Sequence, residues 1–113
     1  MKYKNKKTIV DGITFDSKKE ASRYKQLKAM QDMGLISGLT LQEQFHLVDG
    51  IKIAGEAKKR PSVRYIADFV YLDKRTGEQV VEDVKSAITR KDKVYRLKKH
   101  LMKIVHGIDV VEV

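Results

Sequence analysis

Two apolar, strand-like runs carry the residues able to do chemistry: Tyr65-Ile66-Ala67-Asp68-Phe69 and Val81-Glu82-Asp83-Val84-Lys85. Burying a lone carboxylate is costly, so acids inside such runs need a partner. Lys85 follows Asp83 by two residues and projects from the same strand face. Two carboxylates and an ammonium in one hairpin suit the holding of a divalent cation, and oxygen ligands favour Mg²⁺ or Mn²⁺. If residues 74–77 form the loop, Asp73 pairs with Glu78 and Asp68 stands directly opposite Asp83. Facing Cβ atoms on antiparallel strands lie about 4.5–5.5 Å apart, where like charges repel. A cation between them turns that repulsion into binding. A loop one residue longer or shorter puts Glu82 opposite Asp68 instead, so Glu82 and Asp83 are alternative ligands.

Glu20 is a third carboxylate. On a helical wheel it falls within about 40° of Tyr24 and Leu27, so it faces inward with the apolar stripe. Its competing role is local, because Ser17 and Glu20 have the spacing of a capping box. The competing role for Asp68 is an ordinary strand-edge acid, and for Asp83 and Lys85 a solvated alternating pair. Ile66, Ala67, Phe69 and Val70 around Asp68 weigh against a solvated position.

The elements that must position these groups follow from periodicity and turn chemistry. Residues 9–15 read as a short hairpin around Asp11-Gly12. A helix begins after Ser17, runs to about Met33 with Ala21, Tyr24, Leu27 and Met30 as its apolar line, and stops at Gly34. Residues 39–47 form a strand, with Leu39, Leu41, Phe45 and Leu47 on or near one face. Residues 49–62 hold two glycines, basic residues and the only proline, and read as a mobile basic loop. Strands follow at 63–72 and 78–85. Thr89 caps a second helix with Asp92 at the reciprocal position, and Val94, Leu97, Leu101 and Ile104 make its buried stripe. Gly107 ends that helix, and residues 109–113 are a last strand. The order is helix, three strands, helix, strand, and a mixed sheet packed by helices is its natural architecture.

With 113 residues the chain makes one domain, 1–113, with residues 1–8 as a flexible basic arm. The 24 Lys+Arg against 15 Asp+Glu leave a net charge of +9, which favours a polyanionic partner such as nucleic acid. The absence of cysteine excludes disulfides, thiol catalysis and Cys-based zinc sites. His46, His100 and His106 form no metal-ligand pair on one helix and read as surface residues. No apolar run is long enough to span a membrane, so a cytoplasmic protein without membrane partners is expected.

Asp68 followed by Asp83-Val84-Lys85 resembles the PD-(D/E)XK nuclease signature, with Ala67 where that motif usually has proline. The element order is similar to the superfamily's restriction-endonuclease-like α/β (α+β) core. More narrowly, Tyr3-Lys4-Asn5-Lys6-Lys7, Asp11 through Ala21, Leu41-Gln42, Ala67-Asp68-Phe69 and Glu82-Asp83-Val84-Lys85 resemble small phage and prophage endonucleases related to Holliday-junction resolvases. The resemblance implies Mg²⁺- or Mn²⁺-dependent hydrolysis of DNA phosphodiesters. Asp68, Asp83 and the carbonyl of Val84 would be the metal ligands, with Glu20 on a second ion or a metal-bound water. Lys85 would orient or deprotonate the attacking water or stabilise charge on the phosphate. Gln42 resembles a position that lines this pocket. A phage- or prophage-encoded enzyme working in a bacterial host cell is implied.

The basic residues then read as phosphate contacts: Lys4, Lys6 and Lys7 in the arm, Lys58, Lys59 and Arg60 in the loop, and Arg90, Lys91, Lys93, Arg96 and Lys99 around the second helix. Cutting a four-way junction in paired strands needs two active sites, which predicts a homodimer on branched DNA. The alternatives are a nickase or flap nuclease, and a non-catalytic DNA-binding accessory of recombination or packaging. A basic RNA-binding module lacks an aromatic sheet face on which to stack bases.

Overall fold

Asp11 and Gly12 both take positive φ, 53° and 74°, as a two-residue type I′ turn requires. They close β1 (Thr8–Val10) on β2 (Ile13–Phe15). The computed structural model describes residues 6–113, so Lys4 and most of the expected basic arm lie outside the described residues. Ser17 caps α1 (Lys18–Asp32), its Oγ accepting from the Glu20 N–H at 3.1 Å. Ala21, Tyr24 and Leu27 are buried along α1, as helical spacing predicts.

β3 (Ile36–Val48), β4 (Val63–Asp73) and β5 (Glu78–Asp83) form an antiparallel meander. α2 (Lys93–His106) then crosses over to β6 (Val111–Glu112), which pairs with β5 in parallel. The mixed sheet has the order β3-β4-β5-β6. α1 contributes Ala21, Tyr24 and Leu27 to one apolar cluster, and α2 contributes Tyr95 and Met102 to the other. This is the α+β architecture expected, with helix, three strands, helix and strand following the first hairpin. The β4–β5 register also matches the four-residue loop: Asp73 pairs with Glu78 and Phe69 with Glu82.

Three expectations need correction. First, Leu39 and Leu41 pack in the α1 cluster, while Phe45 and Leu47 pack in the α2 cluster. Alternation would keep all four on one face. It is broken at Gln42, which takes φ 56°. Second, Thr89 does not cap α2. It sits in a single 3₁₀ turn at Thr89–Lys91 and is hydrogen-bonded to Ser86, and the cap is Asp92, which accepts from the Tyr95 N–H at 2.8 Å. Third, Val94, Leu97 and Ile104 are exposed, at 62%, 59% and 67%, and the buried face carries Tyr95 and Met102. Leu47, Val70, Val81 and Val110 form the wall that this face meets, and their fit overrides the helix's own apolar stripe.

The strand ends also shift. β5 stops at Asp83 rather than Lys85, because the Val84 N–H turns to the Asp68 carboxylate at 2.9 Å. Residues 49–62 carry their own bonds: Ile51 and Arg60 form an antiparallel bridge, N···O 3.0 and 2.8 Å. Gly50 permits it, since a Cβ there would lie 2.6 Å from the Arg60 carbonyl oxygen. No helix among the described residues is long and apolar enough to cross a membrane.

Candidate functional site

The site forms where two facing strands change phase together. In β4, Tyr65 and Ala67 pack with α2, whereas Phe69 and Tyr71 pack with α1. Asp68 stands at that break, and Gln42 at the corresponding break in β3. A left-handed residue other than glycine costs roughly 1–2 kcal/mol, and here its side chain gains specific partners. Gln42 Nε2 donates to Asp68 Oδ1 at 3.1 Å and to Glu20 Oε1 at 3.3 Å. The other oxygen of Asp68 accepts the Val84 N–H. Glu20 is therefore turned toward the sheet, although Ser17 supplies its half of the cap.

Glu82 and Asp83 go to opposite faces. Glu82 is 1% exposed and held on the α1 side by a bidentate pair with Arg23, at 2.8 and 2.6 Å, and by the Tyr71 hydroxyl. With its oxygens so engaged, it is a structural ion-pair member. Asp83 lies on the α2 side, 3% exposed, where the Tyr65 hydroxyl donates to Oδ2 and Lys85 Nζ lies 3.4 Å from Oδ1. The Lys85 ammonium sits 4.3 Å above the Tyr95 ring centre, a cation–π contact that fixes its long side chain. A cleft of about 280 Å³, bordered by Tyr65, Ile66, Asp83, Lys85, Val94 and Lys98, opens beside them.

The electrostatics follow from this crowding. Burial pushes the Glu20 carboxyl up from 4.5 to about 7, with the charge of Asp68 and then of Asp16 adding to it. Burial likewise raises Asp83 from 3.8 to about 7, reinforced by its contact with Asp68 and opposed by the Tyr65 hydroxyl and Lys85. Burial first, and then the hydrogen bond to a carboxylate, lift the phenols of Tyr65 and Tyr95 well above the usual range. Two carboxyls poised near neutrality beside a third, with a lysine, suit proton handling or the neutralisation of a cation.

Glu20, Asp68 and Asp83, with the Val84 carbonyl, are hard oxygen donors of the kind that Mg²⁺ or Mn²⁺ takes, so the donor chemistry fits. Among the described residues no three His, Cys, Asp or Glu side chains stand close enough to enclose an ion. The hydrogen bonds from Gln42 and Tyr65 hold the carboxylates in the arrangement found.

Sequence reasoning missed Tyr65, Tyr95 and Arg23. The phase break puts Tyr65 on the face of Asp83, and the rotation of α2 puts Tyr95 beneath Lys85. Arg23 carried a legible signal, since it lies three residues after Glu20 on a helix facing the buried acids. Of the expected phosphate contacts, Lys6, Lys7, Lys58, Lys59, Lys91 and Lys93 are exposed. Arg60 is bound to Glu56 at 2.9 and 2.7 Å. Arg90 and Lys99 approach Glu112 at 3.8 and 3.3 Å, and Arg96 is exposed beside them.

No curated protein and no solved structure matches this chain. A family model described as "Protein of unknown function (DUF1064)" matches residues 1–108. That match spans nearly the whole sequence, and the chain belongs to the DUF1064 family.

Proposed function

We propose that this protein is a metal-dependent, structure-selective DNA endonuclease that hydrolyses phosphodiester bonds in branched recombination or replication intermediates, in the manner of a Holliday-junction resolvase. The observation that carries the reading is a chain of contacts across one strand break: Gln42 joins Glu20 to Asp68, Asp68 borders Asp83, and Asp83 meets Lys85 at the edge of an open cleft. Glu20, Asp68, Asp83 and the Val84 carbonyl would hold Mg²⁺ or Mn²⁺. When bound, such an ion polarises the phosphate and lowers the pKa of water. The Lys85 ammonium orients the attacking water or stabilises charge developing on the phosphate. Tyr95 holds the Lys85 ammonium in place, and Tyr65 fixes the Asp83 carboxylate. Paired cuts across a junction call for two copies of the chain. The setting is the cytoplasm of a bacterial host, with the protein phage- or prophage-encoded.

A second reading is a DNA-binding accessory without catalysis. It is favoured by the carboxylates' engagement with Gln42 and Tyr65. End-labelled four-way junction, flap and linear duplex DNA, each with Mg²⁺, Mn²⁺ or EDTA, separate the two. The endonuclease cuts the junction in paired strands, EDTA abolishes this, and Asp83→Asn loses cleavage but keeps DNA affinity. Cutting of the flap alone turns the reading to a flap nuclease. Binding without cleavage under every condition leaves the accessory.

A further inference from the structure

We infer that the groove between α2 and β6 is a phosphate-binding subsite for the nucleic-acid backbone, one strand away from the carboxylate cluster; the inference rests on the nucleic-acid reading above. The groove has a volume of about 360 Å³, and its walls include Arg90, Arg96, Lys99 and Lys103 together with Asp109 and Glu112. At about 100° per residue, Arg96, Lys99 and Lys103 fall within about 60° of one another on α2. This face is neither the buried one, with Tyr95 and Met102, nor the exposed apolar one, with Val94, Leu97 and Ile104. The helix thus presents a third, cationic face, and β6 closes the groove against it.

The charges do not cancel. Glu112 accepts the Tyr95 hydroxyl at 2.7 Å and lies 3.3 Å from Lys99 Nζ and 3.8 Å from Arg90 Nε. Asp109 takes Lys103 at 2.8 Å. Arg96 has no acidic partner among the described residues, so four cations face two carboxylates. Each arginine has five N–H donors and each lysine three, and these pairings leave most of them free. Glu112 keeps Arg90 and Lys99 at the groove, so their spare donors are held in place for a tetrahedral oxyanion.

Position ties the groove to the site. Glu112 is the Cα partner of Asp83 across the parallel β5–β6 pair, and neighbouring strands lie about 4.8 Å apart. Tyr95 serves both places, with its hydroxyl on Glu112 and its ring under Lys85. Phosphates of one DNA strand recur about every 3.4 Å of helix axis. A strand with one phosphate at the carboxylates therefore delivers another to the groove within a few nucleotides.

The test is binding of a fluorescent four-way junction DNA to the full chain in EDTA, over a range of KCl concentrations. Arg96→Ala combined with Lys103→Ala should weaken binding about tenfold and reduce the salt slope by about two. Lys25→Ala with Lys28→Ala removes the same charge from α1 and should leave the slope unchanged. An unchanged slope in the groove variant, with normal wild-type binding, overturns the groove and leaves the DNA reading standing. An equal loss in both variants also overturns it, since net charge alone then explains the effect. No salt-sensitive binding by the wild type removes the DNA reading and the groove together.

Discussion

Gln42 donates to Asp68 at 3.1 Å from a backbone held at φ 56°, so the strand break and the carboxylate cluster are one feature. Removing the side chain and relieving the backbone can be separated. Gln42→Gly should be more stable than Gln42→Ala by about 1 kcal/mol, the reverse of the usual order within a strand. Urea unfolding of the two variants measures the difference. If the alanine variant is the more stable, the left-handed conformation at residue 42 is wrong.

Glu20 and Asp83, both raised to about 7, make stability depend on pH with a defined sign. Between the ordinary carboxylate pKa and about 7, the folded chain retains protons that the unfolded chain has released. Stability contributed by these groups is therefore lost as pH rises through that window. In EDTA, the Tm should fall between about pH 5 and about pH 8, and Glu20→Gln should flatten the fall. Added Mn²⁺ should raise the Tm at the upper pH and have little effect at the lower, because a carboxyl group binds a cation only when deprotonated. Equal slopes in the wild type and Glu20→Gln would sink the shared-charge account.

The ion pair of Arg23 with Glu82 pins α1 to β5, and the Tyr71 hydroxyl completes it. Arg23→Ala strands a carboxylate that is 1% exposed. A loss of about 3 kcal/mol is expected, at the lower end of the range for broken buried pairs because Arg23 itself is partly exposed. Denaturant melts of Arg23→Ala, Tyr71→Phe and the double variant should be non-additive, as members of one network are. Additive losses would mean that the contacts act independently.

The rotation of α2 has a direct mutational signature. Met102 is fully buried and Leu97 is 59% exposed. Met102→Ala should cost about 3 kcal/mol, and Leu97→Ala within about 0.5 kcal/mol. The opposite ranking by chemical denaturation would restore the amphipathic stripe to the core and move Tyr95 away from Lys85.

Much of this molecule is legible in its sequence. The Asp11-Gly12 turn, the Ser17 cap, the α1 stripe and the loop at 74–77 are set by interactions within a few residues, and each stands as expected. The hairpin loop alone fixed the register beyond which Asp68 comes beside Asp83. The α2 stripe misled because amphipathic spacing gives a helix's periodicity but not which face a given sheet will accept.

What only the tertiary structure decided is which side each acid faces. Glu82 and Asp83 are adjacent in sequence, and alternation separates them whatever the fold. Arg23 on one layer and Tyr65, Lys85 and Tyr95 on the other give the two carboxylates different roles. The paired phase break at Gln42 and Asp68, and the return of Glu112 beside Asp83, join residues far apart in the chain. Local propensity carries no record of such contacts, because their free energy exists only once the sheet and both helices have packed.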